Sequence, residues 1–347
     1  MDEAAVMEFV GRAVGDVGGV LNGAMVVLGD RLGLYEALAG AGPLTAAELA
    51  GRTGTAERYV REWLSAQAAR GYVTYEGDGR FLLPDEHALA LTDETSAACV
   101  IGAFELAVGA VLATDTIADR FRTGEGFAWG AHDTHVVAGC ERFFRPGYLN
   151  NLNGWVAALD GVEEKLKSGA RVADVGCGHG ASTVIMAQAF AASAFVGFDA
   201  HDGSIAQARK RAAEAGVADR VTFEEATAKT FSGRFDLVCF FDCLHDMGDP
   251  LGACTHVREQ LEPGGTLLLV EPFAGDDITD NLNPVGAAYY AFSTLLCTPS
   301  SLSQEVGAAL GAQAGEARLR ELLATAGFRK FRRVAETPFN LIFEAKV

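Results

Sequence analysis

A short run of glycines near the middle of the chain constrains the fold more than any other feature of this sequence. Residues 171–180 read R-V-A-D-V-G-C-G-H-G, so an apolar stretch containing Asp174 leads into Gly176, Gly178 and Gly180. A helix-forming stretch, A-S-T-V-I-M-A-Q-A-F, comes next. Strand, glycine loop and helix open the nucleotide-binding type of βαβ unit, in which glycines let the backbone approach a ligand closely.

Strand and helix patterns alternate from residue 169 to the end of the chain. Five apolar stretches predict parallel strands, and they read ARVADVG, SAFVGFDA, DRVTFEEATA, GRFDLVCFFDCL and TLLLVEP. Two further stretches, FRKFRRVAE and FNLIFEAKV, alternate with period two around Thr337 and Pro338 and predict a closing hairpin. The pattern predicts an α/β fold with a Rossmann-like, doubly wound, mainly parallel seven-stranded sheet and a terminal antiparallel hairpin.

The first 97 residues read differently, as helices followed by a hairpin. Thr45 and Glu48 form a capping-box pattern at the start of one helix, and Thr55 is the predicted N-cap of the next. The stretch VTYEGDGRFLLP then predicts two strands joined at Gly-Asp-Gly. We therefore expect a helical and winged-helix domain over residues 1–97, a helical linker and pocket wall over 98–165, and the α/β domain over 166–347.

Charge argues against a nucleic-acid partner. The net charge of the chain is −18, which repels DNA, RNA and anionic membranes. Residues 24–96 hold six arginines and no lysine against eleven acids. A winged helix that reads DNA needs a positive face, so the charge favours an interaction or dimerisation module over a DNA-binding one.

The sequence also predicts where the protein resides. The N-terminus, MDEAAVMEFV, lacks the basic start of a signal peptide. Seven cysteines at irregular spacing give no disulfide framework, which favours a reducing compartment. The apolar stretch Val100 to Ala118 is interrupted by Glu105 and Asp115. We expect a cytoplasmic protein with no membrane span.

Two acids narrow the ligand of the glycine loop. The spacing D-x-G-x-G-x-G differs from the G-x-G-x-x-G of dinucleotide sites, and Asp174 at the loop's entry would repel a phosphate but suit an ammonium group. Asp199 ends the second strand about 20 residues further on, the usual place for a carboxylate that binds a ribose diol. A ligand with a ribose, an ammonium group and no phosphate fits both acids, and S-adenosylmethionine is such a ligand.

With these residues in place, the region 169–347 resembles a class I S-adenosylmethionine-dependent methyltransferase. VADVGCGHG matches the first motif of that family, FDA its ribose-binding strand end and LEPGGTLLLVEP the approach to its fifth strand. With its winged helix, the whole chain resembles bacterial small-molecule O-methyltransferases, in particular a branch with the stretches FFRPGY, VADVGCGHG and FFDCLHDMGDP. In that family the winged helix usually forms a dimer and roofs the pocket, so the resemblance implies a homodimer through the N-terminal domain.

The resemblance also implies a set of cofactor-binding residues. Thr227 stands where many relatives carry an acid near the adenine amine, so we expect that contact to differ here. The implied cofactor residues are Asp174, Gly176, Cys177, Gly178, Gly180, Asp199, Ala200, Thr227, Ala228, Phe241, Asp242, Phe144 and Tyr148.

The stretch CLHDMGDP resembles the LHDW segment of plant-type O-methyltransferases, in which the histidine takes the proton from a substrate hydroxyl. The resemblance makes His245 the candidate general base and Glu271 the glutamate that orients it. A second acid of that family aligns with Gln313, with Glu316 nearby. The alternative is that His245 caps the helix that starts near Pro250.

Two aromatic segments are candidate walls of the substrate pocket. Trp129 and His132 lie in the glycine-rich stretch TGEGFAWGAHDTH, and Tyr289, Tyr290 and Phe292 lie in the long segment Ala274 to Gly315. His132 and His135 have no Cys or Glu partner nearby in sequence, so we expect a polar pocket wall and no metal.

These observations predict methyl transfer from S-adenosylmethionine to a hydroxyl oxygen of a small molecule. Two alternatives stay open at this point. One is methyl transfer to nitrogen, carbon or a carboxylate without a histidine base, and the other is a cofactor-sensing transcription regulator.

Overall fold

The computed structural model describes residues 1–347, which form two compact units. One unit contains residues 1–109 and 134–146, and the other contains residues 110–133 and 147–347. The region 98–165, expected as a linker and pocket wall, is therefore divided between the two units and is not a unit of its own.

The first unit is helical with a small sheet. Its first part contains α1 (Glu3–Arg31), α2 (Leu34–Leu38), β1 (Leu44–Thr45), α3 (Ala46–Thr53), α4 (Glu57–Ala69), β2 (Thr74–Gly77), β3 (Arg80–Leu82) and α5 (Asp85–Leu91). The three strands pair in the order β1-β3-β2, in which β2 and β3 are the predicted hairpin and β1 is an additional strand that was not predicted.

Of the two helix caps predicted in this unit, one is confirmed and the other is wrong. Thr45 and Glu48 form a complete capping box at the start of α3, which confirms that prediction. The prediction for Thr55 is wrong, because α4 begins at Glu57 with Ala56 as its N-cap residue. The hydroxyl of Thr55 instead shares a hydrogen bond of 2.8 Å with the hydroxyl of Thr53, so it is not available to the first turn of α4.

Four helices precede the large sheet. They are α6 (Ile101–Val111), α7 (Thr114–Thr123), α8 (Thr134–Ala157) and α9 (Val162–Ser168). No single helix is long and apolar enough to cross a membrane, and only the bent pair α6 and α7 reaches that length and composition together.

The second unit is built on a seven-stranded sheet flanked by helices. Its elements after α9 are β4 (Arg171–Val175), α10 (Ala181–Ala189), β5 (Ala194–Asp199), α11 (Asp202–Glu214), β6 (Val221–Glu225), β7 (Phe235–Phe241), α12 (Pro250–Gln260), β8 (Leu261–Pro272), α13 (Pro284–Phe292), α14 (Thr298–Leu302), α15 (Gly315–Ala326), β9 (Lys330–Glu336) and β10 (Asn340–Lys346).

The order of the strands confirms the predicted fold class. The strands lie in the order β6-β5-β4-β7-β8-β10-β9, with β4 to β8 parallel and β10 antiparallel to both of its neighbours. The terminal hairpin thus inserts one antiparallel strand, β10, beside β8. Side chains of β4, β7 and β8 are almost all buried, as expected for parallel strands covered on both faces.

Strand register brings the ends of three strands together. Val175 of β4 pairs with Phe198 of β5 on one side and with Phe240 of β7 on the other. Carboxyl ends of parallel strands meet at one edge of the sheet, so the loop after Val175 lies between Asp199 and Phe241. The segment between β8 and α15 is largely helical and includes a π-helical turn at Ser293–Cys297. Such turns often occur at functional sites.

Candidate active site

The three positions of the loop after β4 require glycine for different structural reasons. Each has a positive φ, of 73° at Gly176, 52° at Gly178 and 74° at Gly180. A Cβ at Gly176 would lie 2.8 Å from the sulfur of Cys243, and one at Gly180 would lie 2.6 Å from the ring of Phe223. At Gly178 a Cβ would meet nothing within 4 Å. Two glycines therefore allow close packing, while Gly178 leaves open space in which a ligand can approach the backbone.

Asp199 holds this loop from the end of β5. Its Oδ2 accepts a hydrogen bond of 2.9 Å from the Gly178 amide, and its Oδ1 accepts one of 2.9 Å from the His201 amide. The carboxylate is partly exposed. A carboxylate at this strand end can accept the hydroxyls of a ribose, as the sequence predicts for this position.

Asp174 is more deeply buried than expected for a residue that contacts a ligand directly. It is 1% exposed, and its Oδ2 accepts hydrogen bonds of 2.6 Å from the hydroxyls of both Ser182 and Thr183. Burial raises its pKa to about 6 against the effect of those two hydroxyls. Its Oδ1 is buried without a hydrogen-bond partner, so contact with an ammonium group through that atom stays a prediction.

Ser182 and Thr183 were not predicted. They follow Gly180 in the first turn of α10, and nothing in their spacing indicates that they face back toward Asp174.

The remaining residues around the loop differ in exposure. The thiol of Cys177 is buried and points to the Gly178 carbonyl, and burial raises its pKa well above the ordinary range. The hydroxyl of Thr227 shares a hydrogen bond of 2.9 Å with that of Thr230. Ala200 is exposed and Ala228 is partly buried. The roles of these residues toward the cofactor stay predictions.

The two aromatic residues predicted from α8 fall in different units. Phe144 belongs to the first unit, where its ring lies 5.0 Å from that of Phe143. Tyr148 belongs to the second unit, where its ring lies 5.3 Å from the buried ring of Phe241. The structure therefore places Tyr148 beside Phe241 at the edge of the sheet, and the roles of Phe144 and Tyr148 toward the cofactor stay predictions.

Asp242, directly after β7, has a strained backbone and two hydrogen-bond donors. Its φ is 51°, which few residues other than glycine adopt. Its Oδ2 accepts from the Tyr148 hydroxyl at 2.9 Å, and its Oδ1 accepts from the Asn340 amide at 2.6 Å. Burial first, and the carboxylate of Glu271 second, raise the pKa of Asp242 to about 8. Asn340 was missed because it lies 98 residues away in the terminal hairpin.

The raised pKa of Asp242 has a consequence for stability. In the folded protein the Asp242 carboxyl stays protonated up to about pH 8, whereas the ordinary pKa of an aspartate is 3.8. The contribution of this proton to the free energy of unfolding is therefore fully present below about pH 4 and is lost as the pH rises through 8. We expect Asp242→Asn, which stays neutral, to melt at a higher temperature than wild type, by about 5 °C at pH 9. Calorimetry of the ligand-free proteins from pH 5 to 9 tests this, with the exposed Asp202→Asn as control. A difference that does not grow with pH contradicts the assignment.

His245 is fixed from one side by Glu271. It lies in a short helical turn, Leu244–Asp246, and is 4% exposed. Its Nδ1 lies 2.8 Å from Glu271 Oε2, and Glu271 Oε1 accepts from the Leu244 amide at 3.1 Å. The alternative that His245 caps the next helix is wrong, because Asp249 is the N-cap of α12 and accepts from the Gly252 amide at 2.8 Å.

The other face of His245 meets a second carboxylate. Its Nε2 lies 3.2 Å from Asp246 Oδ1, with the thiol of Cys297 beside both groups. Burial lowers the pKa of His245, but Asp246 and Glu271 outweigh burial and hold that pKa well above 6.5. The donor atoms of His245, Asp246 and Cys297 lie within 4.8 Å of one another, a spacing that a metal ion could also use.

The residues that align with or lie near the second acid of the family, Gln313 and Glu316, make other contacts. Gln313 donates to the Phe273 carbonyl at 3.3 Å, and Glu316 pairs with Arg320 and Arg333 on the surface. Asp246 is the carboxylate that approaches Nε2 of His245. The sequence offered one signal for it, since Asp246 directly follows the histidine.

The candidate pocket residues differ in their burial and in their hydrogen bonds. His132 is 8% exposed, and neither of its ring nitrogens has a hydrogen-bond partner. Trp129 is partly buried, with its ring 6.4 Å from that of His132. Tyr289 is buried and donates to the Phe339 carbonyl at 2.8 Å, so its hydroxyl is engaged within the fold. Tyr290 is 36% exposed, and Phe292 is partly buried.

The strand order and the glycine loop are those of the class I S-adenosylmethionine-dependent methyltransferase fold. Residues 166–324 match the family model described as a methyltransferase domain, and residues 21–93 match the Rv2258c-like winged HTH domain. The chain therefore combines a methyltransferase domain with an N-terminal winged-helix domain.

Individual proteins show the same likeness. The chain is 35% identical over 107 residues to 27-O-demethylrifamycin SV methyltransferase of Amycolatopsis mediterranei, covering 30% of this chain and 39% of that protein. The structure is similar to the mitomycin 7-O-methyltransferase MmcR, with a TM-score of 0.72 and 21% identity over 99% of this chain and 100% of that one. Human N-acetylserotonin methyltransferase, solved in complex with S-adenosylmethionine, gives a TM-score of 0.70 and 17% identity over 100% of this chain and 98% of that one.

The chain spans between 24% and 54% of the length of the curated relatives it matches. At these identities the solved structures share the fold. What those proteins act on is taken up below only as a proposal.

Proposed function

We propose that the protein transfers the methyl group of S-adenosylmethionine to a hydroxyl oxygen of a small molecule, with His245 as general base. The observation that carries this proposal is the buried pair of His245 Nδ1 and Glu271 Oε2, 2.8 Å apart, one turn beyond the strand that borders the cofactor loop. A buried carboxylate on one ring nitrogen directs the other nitrogen toward a substrate and stabilises the imidazolium that forms.

The residues at the sheet edge fit the cofactor. Gly178 leaves the space that a Cβ would fill, and the Asp199 carboxylate stands at the strand end where ribose hydroxyls bind. When bound, S-adenosylmethionine supplies an electrophilic methyl group. Tyr148 and Asp242 would border its methionine end, next to the turn that carries His245.

His245 would accept the proton of the acceptor hydroxyl at Nε2. A phenol or enol is a weak nucleophile until that proton leaves, so a positioned base lowers the barrier. Glu271 and Asp246 both favour the protonated ring, so proton transfer to His245 is favourable once the ring is neutral. The neutral ring is populated at alkaline pH, which leads to the pH dependence taken up in the Discussion.

A direct test is methyl transfer from radiolabelled S-adenosylmethionine to a panel of phenols, amines and carboxylic acids, each with wild type and His245→Ala. The proposal requires products methylated at a hydroxyl and loss of that activity in the variant. Products methylated only at nitrogen, carbon or carboxylate would assign the protein to the alternative class of methyltransferase.

The winged-helix domain offers little positive charge to a nucleic acid. On α4, Arg58 pairs with Glu62 at 2.5 Å, and Arg61 pairs with Glu57. Both arginines of α4 are therefore paired with acids of their own helix, so α4 has no unpaired arginine for a DNA backbone. This supports an interaction role for the domain rather than a transcription regulator.

We also propose that α1 forms a homodimer with a second copy of the chain. Seven small or apolar residues repeat at alternating spacings of three and four, and they are Met7, Val10, Val14, Val17, Leu21, Ala24 and Leu28. All seven are exposed, whereas Asn22, Val26 and Gly29 face the core of the unit. A repeat of this kind over three heptads is typical of a helix that packs against another helix.

We expect Val17→Glu to convert the dimer to a monomer, because it would place two carboxylates in the apolar seam. Light scattering after gel filtration measures the change in mass. Arg12→Gln is the matched control, since it also lowers the net charge by one, through loss of a positive charge, but lies on the opposite side of the α1 repeat. A wild-type protein that is already a monomer contradicts the proposal, and so does a variant that stays dimeric.

The cysteines support a reducing, cytoplasmic location as a proposal. Five of the seven cysteines are free and buried in the structure. Unpaired buried cysteines are usual in proteins that are kept reduced.

A further inference from the structure

We propose that His245, Asp246 and Cys297 form a binding site for a zinc ion, and that zinc held there inhibits methyl transfer. The binding site is independent of the reaction, because it rests on the arrangement of three donor atoms. The inhibition rests on the proposed function, because zinc would occupy Nε2 of His245, the atom that takes the proton of the acceptor hydroxyl. Removal of the ion would restore the base.

The first observation is the set of donor atoms itself. One nitrogen, one carboxylate oxygen and one sulfur, from His245, Asp246 and Cys297, lie within 4.8 Å of one another. His245 Nε2 and Asp246 Oδ1 are 3.2 Å apart. Two such ligands on a tetrahedral zinc ion, with bonds of about 2.0–2.1 Å, are separated by roughly 3.3 Å. The nitrogen and the oxygen are therefore already spaced as ligands of one ion.

The second observation is an oxygen that the fold leaves unsatisfied. Asp246 Oδ1 is buried without a hydrogen bond, although it lies 3.2 Å from His245 Nε2. A hydrogen bond needs the N–H to point at its acceptor, so this oxygen lies off the N–H direction of the ring. Two ligands of a tetrahedral ion meet it at an angle, so an ion on Nε2 can bind an oxygen placed off that direction. A metal ion would thus satisfy a buried oxygen that the ring proton does not.

Glu271 supports the histidine as a metal ligand from its other side. Glu271 Oε2 lies 2.8 Å from His245 Nδ1, and Glu271 Oε1 accepts from the Leu244 amide at 3.1 Å. Histidines that bind a metal usually donate their second N–H to a carboxylate, which fixes the ring and directs the other nitrogen to the ion. The pairing with Glu271 therefore leaves Nε2 as the metal-binding nitrogen.

The segment that follows Cys297 is tied by hydrogen bonds to the turn that carries the other two ligands. The Ser301 hydroxyl donates to the Met247 carbonyl at 2.8 Å. The side-chain amide of Gln304 donates to the Asp246 carbonyl at 2.9 Å. Cys297 ends the π-helical turn directly before α14, the helix that contains Ser301. These bonds hold the thiol close to the turn before an ion binds, so the site is preorganised.

The types of donor atom favour zinc over the commoner hard cations. Mg²⁺ and Ca²⁺ take oxygen ligands, whereas a thiolate and an imidazole suit Zn²⁺. The Cys297 thiol would bind as the thiolate and release its proton to solvent. Two carboxylates, of Asp246 and Glu271, face one imidazole, and this excess of negative charge attracts a divalent cation. The side chain of Asp246 is 22% exposed, so an ion can enter from that side.

The site is tested with Co²⁺ as an optical substitute for zinc in the full-length protein, after treatment with a chelator. We expect a thiolate-to-cobalt absorption band and the visible bands of tetrahedral cobalt, and zinc should remove both because thiolate sites select it. Cys297→Ser should lose the thiolate band. It should also bind zinc about 100-fold more weakly, since loss of even an outer partner of a metal ligand costs about 10–100-fold.

Two further variants make the result specific. Asp246→Asn should keep the thiolate band but bind cobalt more weakly, and it tests the site if Cys297→Ser does not fold. Cys243→Ser is the matched control, because it removes a neighbouring thiol whose Sγ donates to the Val175 carbonyl at 3.3 Å, and its cobalt spectrum should match that of wild type. A wild-type protein without a thiolate band overturns the site, as does a band that persists in Cys297→Ser or cobalt affinity that is unchanged in Asp246→Asn.

The inhibition is measured separately, as methyl transfer at buffered concentrations of free zinc, with each protein compared to its own zinc-free rate. We expect wild type to lose activity as the site fills and to regain it with a chelator. Cys297→Ser should need about 100-fold more zinc for the same loss. Methyl transfer that is unchanged or faster with zinc bound overturns the inhibition. A wild type that shows the cobalt band but methylates no acceptor would contradict the proposed function and leave the zinc site in place.

Discussion

Replacing Asp199 with alanine should weaken binding of S-adenosylmethionine by about 100-fold, while the fold stays intact. The carboxylate would accept both ribose hydroxyls, and hydrogen bonds to a charged group contribute about 1.5–3 kcal/mol each. Loss of the pair therefore corresponds to roughly 3 kcal/mol or more, which is about two orders of magnitude in the dissociation constant.

Asp199 also shapes the ligand-free loop. It accepts from the Gly178 amide in the absence of a ligand, so its removal would loosen the loop that approaches the cofactor as well. Both effects lower affinity, and Asp199→Asn should fall between wild type and alanine because its oxygen can still accept one hydrogen bond.

Isothermal titration with S-adenosylmethionine and with S-adenosylhomocysteine measures the change. Glu225→Ala is the matched control, because it removes an acid from the end of the neighbouring strand β6, where Glu225 pairs in register with Asp199. An Asp199→Ala protein that is folded by circular dichroism yet binds the cofactor like wild type would show that the ribose is held elsewhere.

The sequence predicts the fold well because its signals are local. Three glycines with positive φ, the capping box of Thr45 and the period-two pattern of the last two strands all act within a few residues of chain. The register of parallel strands then brings Asp199 to the loop without further information. Fold class and the cofactor loop follow from such local patterns.

The finer features of the site depend on contacts between distant residues. Asn340 reaches Asp242 across 98 residues, and Cys297 reaches the turn of His245 through a π-helical turn, with no spacing in the sequence that relates them. Thr55 fails as a cap for a local reason, since its hydroxyl has a nearer partner in Thr53. Likewise, the resemblance aligned Gln313 with an acid, whereas the carboxylate near Nε2 belongs to the adjacent Asp246.

Replacing His245 with alanine should lower kcat by about three orders of magnitude, the usual contribution of a positioned general base. S-adenosylmethionine binding should be unchanged, since Glu271 and Asp246, not the cofactor residues, contact the imidazole. Single-turnover kinetics with a hydroxylated acceptor measure the loss. His87→Ala in α5, where the ring contacts the Tyr72 carbonyl, is the control. Wild-type turnover by His245→Ala would mean that the acceptor is activated without this histidine.

The pH profile separates a base from a merely structural histidine. Asp246 and Glu271 hold the pKa of His245 well above 6.5, and only the deprotonated ring can accept a proton, so kcat/KM should rise with pH to a midpoint above 6.5. Glu271→Gln removes one of the two carboxylates while leaving an oxygen for the Leu244 amide, so the pKa should fall and the midpoint should move to lower pH. Its maximal kcat should drop as well, because the imidazolium loses a counter-charge. A profile that keeps its midpoint in Glu271→Gln would place the titrating group outside this pair.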